Sequence, residues 1–277
     1  MIRPLIAALA LVASTGTSAH NFWLQPENHT PDAGEDVLIE FKIGDAGAAA
    51  NDWGLYWERI AAFRLHGPDG ASDQQSAVRT TQAGVTGSAQ LSVARPGSYV
   101  LAFESNPSRS DLEAERFNRY IENEGLTAIA AHRAATGSGD ANGTELYARR
   151  AKTLLQVGDV ITANVTRPIG QTLEIVPLQN PFALGEGDAL DLQVFWRGSP
   201  LDGATLSIAP LDGTGGVETA MTSADGVVRV GAPGKTAMLY TVTWGVLAPN
   251  ESRADYLTIF ASLTVANPRS AEGTEAP

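Results

Sequence analysis

Alternation of apolar and polar positions runs through most of the chain. Val37, Ile39, Phe41 and Ile43 occupy every second position of residues 36–43, the period of a strand with one buried face. Before it, Phe22, Trp23 and Leu24 read as a short aromatic strand ended by Pro26, and Pro31-Asp32-Ala33-Gly34-Glu35 reads as a turn. Residues 46–51 read as a loop, and 60–66 as a strand closed by the turn Gly67-Pro68-Asp69-Gly70. Residues 89–93 and 98–104 are expected to form a hairpin around Arg95-Pro96-Gly97. The same grammar returns at 189–195, 203–208, 226–230, 239–244 and 258–265. A proline, a Gly-Glu turn and an alternating strand occur both at 31–41 and at 181–195, so both halves are expected to use similar antiparallel strands.

One block changes period. Ser110-Asp111-Leu112-Glu113 has the form of a capping box, with Ser110 as N-cap. Leu112, Phe117, Tyr120 and Ile121 follow at helical spacing, Gly125 breaks the pattern, and 126–135 reads as a second helix. Residues 144–152 read as a further helical turn or two, running into a strand at 154–157. A block this small cannot bury a core alone, so it is expected to be an excursion from a sandwich. The fold class is therefore mainly β: two antiparallel, Ig-like β-sandwich domains with a helical insertion in the first. The first domain is placed at 20–166 with the insertion at about 109–152. The second, Ig-like or transthyretin-like, is placed at 167–268 after the boundary Arg167-Pro168-Ile169-Gly170, and 269–277 as a disordered polar tail.

The first residues have the pattern of an export signal: Arg3, a short apolar run over 5–13, and small residues at Thr17 and Ala19. The apolar run is too short for a stable membrane-spanning helix. Cleavage after Ala19 ends the signal at 1–19 and makes His20 the first residue of the mature chain. An N-terminal histidine offers an α-amine and a ring Nδ1 that close one chelate ring. A further imidazole completes the three-nitrogen arrangement known as a histidine brace, which suits copper(II).

Composition narrows the partners. The net charge of −12 makes the chain a poor match for nucleic acid or an anionic membrane surface, and compatible with collecting cations. The absence of cysteine excludes disulfides, thiolate metal sites and thiol catalysis. No later segment reaches spanning length without charges, so a soluble periplasmic protein is expected. No G-x-S-x-G or H-E-x-x-H motif occurs, and the chain is read as a non-enzyme.

The second metal ligand is sought among the other histidines. His132, near the end of the second helix beside Arg133, is the first choice, because the helices can fold over the sandwich edge where His20 begins. His66 closes a strand, where a structural hydrogen bond is the blander role, and His29 lies beyond Pro26 in an expected exposed loop. No closely spaced histidine pair supports a tetrahedral zinc site.

Several motifs together carry a family resemblance. They are His20-Asn21-Phe22-Trp23-Leu24-Gln25-Pro26, the turns at 31–35 and 67–70, Pro96-Gly97-Ser98-Tyr99-Val100-Leu101, and Phe117-Asn118-Arg119-Tyr120-Ile121 with Glu124-Gly125-Leu126. Tyr147-Ala148-Arg149-Arg150-Ala151-Lys152 and Ala261-Ser262-Leu263-Thr264 complete the set. The sequence resembles the exported DUF4198 proteins, often labelled NikM-like and nickel-transporting. The resemblance implies a β-rich periplasmic protein linked to transition metals. Relatives place a histidine late in the second half, where Val242–Leu247 here has none.

Three function classes follow. The first is a periplasmic metal-binding protein that buffers, delivers or helps import copper, with nickel or cobalt as alternatives. Its partner would be a membrane metal transporter or a TonB-dependent receptor. The second is a carbohydrate or adhesion module using the aromatic cluster Trp53, Tyr56 and Trp57. The third and least favoured is a histidine-brace copper oxidative enzyme.

Overall fold

The computed structural model describes residues 21–45, 47–185, 187–249 and 253–268. His20, the expected signal at 1–19 and the expected tail at 269–277 lie outside the described residues. The first strands are β1 (Asn21–Pro26), β2 (Asp36–Gly44), β3 (Asn51–Asp52), β4 (Ile60–Gly67), β5 (Gly70–Asp73), β6 (Val78–Arg79), β7 (Ser88–Ser92), β8 (Gly97–Ser105) and β9 (Ser108–Leu112). Helices α1 (Ala114–Asn123) and α2 (Thr127–Thr136) precede the long strand β10 (Gly143–Val157). Then come β11 (Leu173–Pro177), β12 (Ala189–Trp196), β13 (Ser199–Pro200), β14 (Thr205–Pro210), β15 (Glu218–Met221), β16 (Val227–Gly231), β17 (Met238–Leu247) and β18 (Tyr256–Val265).

These strands form three sheets. One has the order β1-β2-β7-β6, with β3 on β2; another the order β11-β12-β13, with β16 on β12. Between them runs a nine-stranded sheet, β15-β14-β17-β18-β10-β8-β4-β5, with β9 on β10. Phe22, Ile39 and Phe41 of the first sheet bury against Phe63, Leu101 and Phe103 of the central sheet. Leu173, Leu190 and Val194 of the other small sheet bury against Leu206, Val242 and Leu263. A third cluster joins Phe117, Tyr120 and Ile129 of the helices to Tyr256 and Phe260 of β18. The chain is thus mainly β, built of antiparallel sheets with a pair of helices between strands.

The two halves are joined more closely than a linker would join them. β10 pairs in parallel with β18 from Glu145↔Tyr256 to Thr153↔Thr264, so one sheet crosses the expected boundary at 167–170. Residues 144–152 are strand, not helix. Tyr147-Ala148-Arg149-Arg150-Ala151-Lys152 is rich in helix formers, but ladder bonds to β8, β9 and β18 outweigh that preference. Ser110 is not an N-cap. It lies in β9, where its hydroxyl donates to Glu145 at 3.0 Å, and Glu113 takes the cap position without a side-chain bond.

The expected hairpin at 89–104 is also replaced. β7 pairs with β2, whereas β8 pairs with β4 and β10, so the intervening turn is an arch between sheets. β8 is buried along nearly all its length because Val100 faces one core and Tyr99, Leu101 and Phe103 the other, while β7 alternates. The Tyr99 hydroxyl donates to the Arg95 carbonyl at 2.8 Å and pins the arch. Its ring lies so close to Gly67 that a Cβ there would meet it at 2.2 Å.

Candidate functional site

β1 begins at a polar cleft of about 340 Å³ where the two halves meet. Asn21 enters from the first sheet, Glu122–Gly125 from the end of α1, and Thr205, Ser207, Thr219, Thr241 and Thr243 from β14, β15 and β17. Gly125, in the left-handed region at φ 65°, turns the chain from α1 toward α2 and leaves Glu124 as the C-cap.

Glu124 occupies an unfavourable place for a carboxylate. The C-terminal end of a helix repels negative charge. Burial raises its pKa, and the charges of Asp45 and Glu145 raise it further; a 2.7 Å hydrogen bond from Thr243 and the Arg149 guanidinium oppose them. Arg149 faces the rings of Phe22, Tyr147 and Phe260 at 5.5–5.9 Å, and burial lowers its pKa. Glu145 lies behind this wall, 4% exposed, accepting from Ser110, Tyr120 and Thr258 at 2.7–3.1 Å. Burial raises its pKa, and those donors oppose the shift.

The described histidines stand apart. His132, on α2, meets Tyr256 through a 3.2 Å contact between Nδ1 and the phenol, with the rings edge to face. Tyr256 precedes Phe260, the partner of cleft residue Thr243, by four positions on β18, about 13 Å of strand. His29 is not in an exposed loop. It is 6% exposed, its Nδ1 donates to the Leu154 carbonyl at 2.9 Å, and burial lowers its pKa to about 4. Residues around it run along the end of β10, so the following turn is tied down rather than solvated. His66 is half-buried on β4, and burial is the main cause of its lowered pKa, with Arg64 and Lys152 adding to it. Val100 lies between His66 and Leu154 in the ladder, so His29 and His66 are separated by about 14 Å. Among the described residues no group of three or more His, Asp or Glu side chains is arranged to hold a metal.

The aromatic cluster divides. Trp53 is buried at 8%, while Tyr56 and Trp57 are 40% and 52% exposed. Arg59 stacks over the rings of Trp53 and Tyr56, each at 5.2 Å. Arg133, beside His132, is buried. Its guanidinium donates to Asn118 and to the carbonyls of Gly139 and Ala141, closing the loop after α2.

Sequence reasoning missed Glu124, Asp45 and the hydroxyls that face them. The break at Gly125 and the motif Glu124-Gly125-Leu126 marked that region without giving Glu124 a role, and the Thr and Ser positions read as ordinary strand residues.

The family described as a domain of unknown function, DUF4198, matches residues 17–243. No curated protein matches the chain. Solved structures similar to it include dimeric latent PorU from Porphyromonas gingivalis, at 11% identity over 94% of this chain and 22% of that one, TM-score 0.23. The D0-D1 domain of intimin matches at 11% identity over 88% of this chain and 97% of that one, TM-score 0.22. Trypsin-activated alpha-2-macroglobulin from Escherichia coli matches at 12% identity over 89% of this chain and 15% of that one, TM-score 0.21. The chain thus spans about a fifth of PorU. At these TM-scores the likenesses carry no argument.

Proposed function

The chain belongs to the DUF4198 family, and on that footing we propose that it is an exported transition-metal-binding protein, acting in the periplasm through the mature N-terminal His20. Copper is the first choice of cargo and nickel or cobalt the alternatives, for buffering, delivery or uptake. We read each half as an Ig-like sandwich sharing the central sheet, a reading supported by the tyrosine arch at Tyr99.

The carrying observation is register. β1 and β2 pair as far as Asn21↔Gly44, and Asp45 follows directly on Gly44, so Asp45 lies near the start of β1. Asp45 in turn is close enough to Glu124 to raise its pKa. Asp45 and Glu124 both lie near Asn21, the first described residue, which supports reading them as ligands to a metal held by His20. Such a mixed nitrogen and oxygen set suits divalent copper, nickel or cobalt. The α-amine and ring Nδ1 would hold the ion, and Asp45 and Glu124 would supply oxygens and neutralise its charge. All of these donors must be deprotonated, so affinity falls with pH.

The test compares protein beginning at His20, the same protein extended by one residue at its N-terminus, and His20→Ala, each titrated with Cu(II) and Ni(II) by calorimetry. Extension converts the amine to an amide and leaves every other residue in place. Binding by the His20-start form alone is the expected result. Equal binding by all three overturns the reading. The same titration of His132→Ala, His66→Ala and His29→Ala checks whether a second imidazole contributes.

A further inference from the structure

The cleft carries a feature that metal binding does not use. Thr219 pairs with Ser207, Ser207 with Thr241, and Thr241 with Ser262. Residues directly opposed in a ladder share a face, so four hydroxyls form one row across β15, β14, β17 and β18. The first three line the cleft. Thr241 is 5% exposed and lines the cleft. Ser262, next along the row and behind the cleft lining, is 3% exposed, and its buried Oγ is unpartnered among the described residues. The three cleft-lining hydroxyls, of Thr219, Ser207 and Thr241, can exchange hydrogen bonds with a ligand in the cleft.

We propose that this cleft binds a small neutral polyhydroxylated molecule of the monosaccharide class. Hydroxyls spaced by about 4.8 Å across neighbouring strands match the scale of a pyranose ring. Each one both donates and accepts, as each sugar hydroxyl does. Glu122 and Glu124 provide acceptors on the opposite wall, and their charge disfavours anionic ligands. A volume of about 340 Å³ lies at the small end of ligand pockets and admits one ring rather than a long chain. The sugar reading shares Glu124 with the metal reading, but its hydroxyl row lies on strands of the second half and needs neither His20 nor Asp45.

The experiment is saturation-transfer NMR, followed by calorimetry, with glucose, galactose, mannose and N-acetylglucosamine as probes and glucuronate as the anionic control. Thr241→Val keeps shape and removes one hydroxyl; Ser207→Ala, at a less buried position, serves if the first variant loses stability. The expected result is binding of at least one neutral sugar, weakened about tenfold by either substitution at unchanged Tm, with glucuronate binding more weakly. Absence of binding by all four neutral probes overturns the proposal. So does binding that both variants retain in full, which would place the sugar elsewhere, as at exposed Tyr56 and Trp57. His20→Ala is expected to keep sugar binding while losing metal, so each reading fails separately.

Discussion

Glu174 and Glu124 are two carboxylates withdrawn from water at the junction of the halves, and the chain treats them in opposite ways. Glu174, 1% exposed, accepts from the backbone N–H groups of Ile169, Gly170 and Gln171 at 2.8–3.2 Å. Lys152, 2% exposed, completes it at 2.8 Å. Every demand of that buried charge is met, and the loop after residue 167 is thereby clamped to β10. Glu124 has the Thr243 hydroxyl as hydrogen-bond donor, sits at the wrong end of a helix, and faces Asp45 and Glu145. A satisfied buried carboxylate organises the fold. One held at a cost beside a cleft is where the proposed metal binding would draw on stability.

Removing Glu174 is the strongest way to break this contrast. Glu174→Ala leaves the Lys152 ammonium buried without its partner and frees three backbone donors. The expected loss is about 3–5 kcal/mol in denaturant unfolding. Burial lowers the Lys152 pKa while Glu174 raises it, so the variant should also relieve its strain by losing that proton. Adding Lys152→Met to Glu174→Ala is expected to recover part of the loss; two additive losses would show that the pair does not clamp the loop.

His29 belongs with Glu174 on the structural side, and acid sharpens the point. Its pKa falls from 6.5 to about 4 on folding, chiefly because burial penalises the imidazolium, against the favourable bond to Leu154. The unfolded chain therefore binds this proton more readily. Its stabilising contribution is complete above pH 6.5 and is lost as pH falls toward 4, a change of about 3 kcal/mol. Unfolding free energies measured between these limits should show that slope, and His29→Gln should flatten it. An unchanged slope in the variant would assign the acid sensitivity to other groups.

The strands were legible because alternation is a local signal. Residues 36–43, 60–66 and 258–265 were read almost to their ends. What sequence could not carry was partnership. Arg95-Pro96-Gly97 looks the same in a hairpin as in the arch that joins two sheets, and only the burial of both faces of β8 distinguishes them. Tyr147 to Lys152 has helical preference, and distant β18 overrules it. Of the site, the expected signal and His20 lie outside the described residues. Glu124, Asp45, Thr241 and Thr243 come together only through long-range pairing, and the motif Glu124-Gly125-Leu126 gave Glu124 no role. His29 was misread as exposed because its partner carbonyl, Leu154, is 125 residues away.

The smallest effect on stability is expected at Glu124, where the effect on binding should be the larger one. Glu124→Gln keeps the shape of the side chain and an acceptor for Thr243, and it removes the charge that Asp45 and Glu145 oppose. Because folding raises the pKa of this group, its ionisation costs stability above the unfolded carboxylate range, and the cost disappears as pH falls below it. Near pH 7 the variant should therefore be as stable as the parent or up to about 1 kcal/mol more stable. Copper affinity in protein beginning at His20 should fall by about tenfold, since a charged oxygen donor is replaced by a neutral one. A variant that is clearly destabilised and binds copper as before would place Glu124 beside Glu174 as a structural carboxylate, and the contrast between the two would be lost. The reverse pattern, stability kept and affinity reduced, separates them by measurement as their surroundings do by geometry.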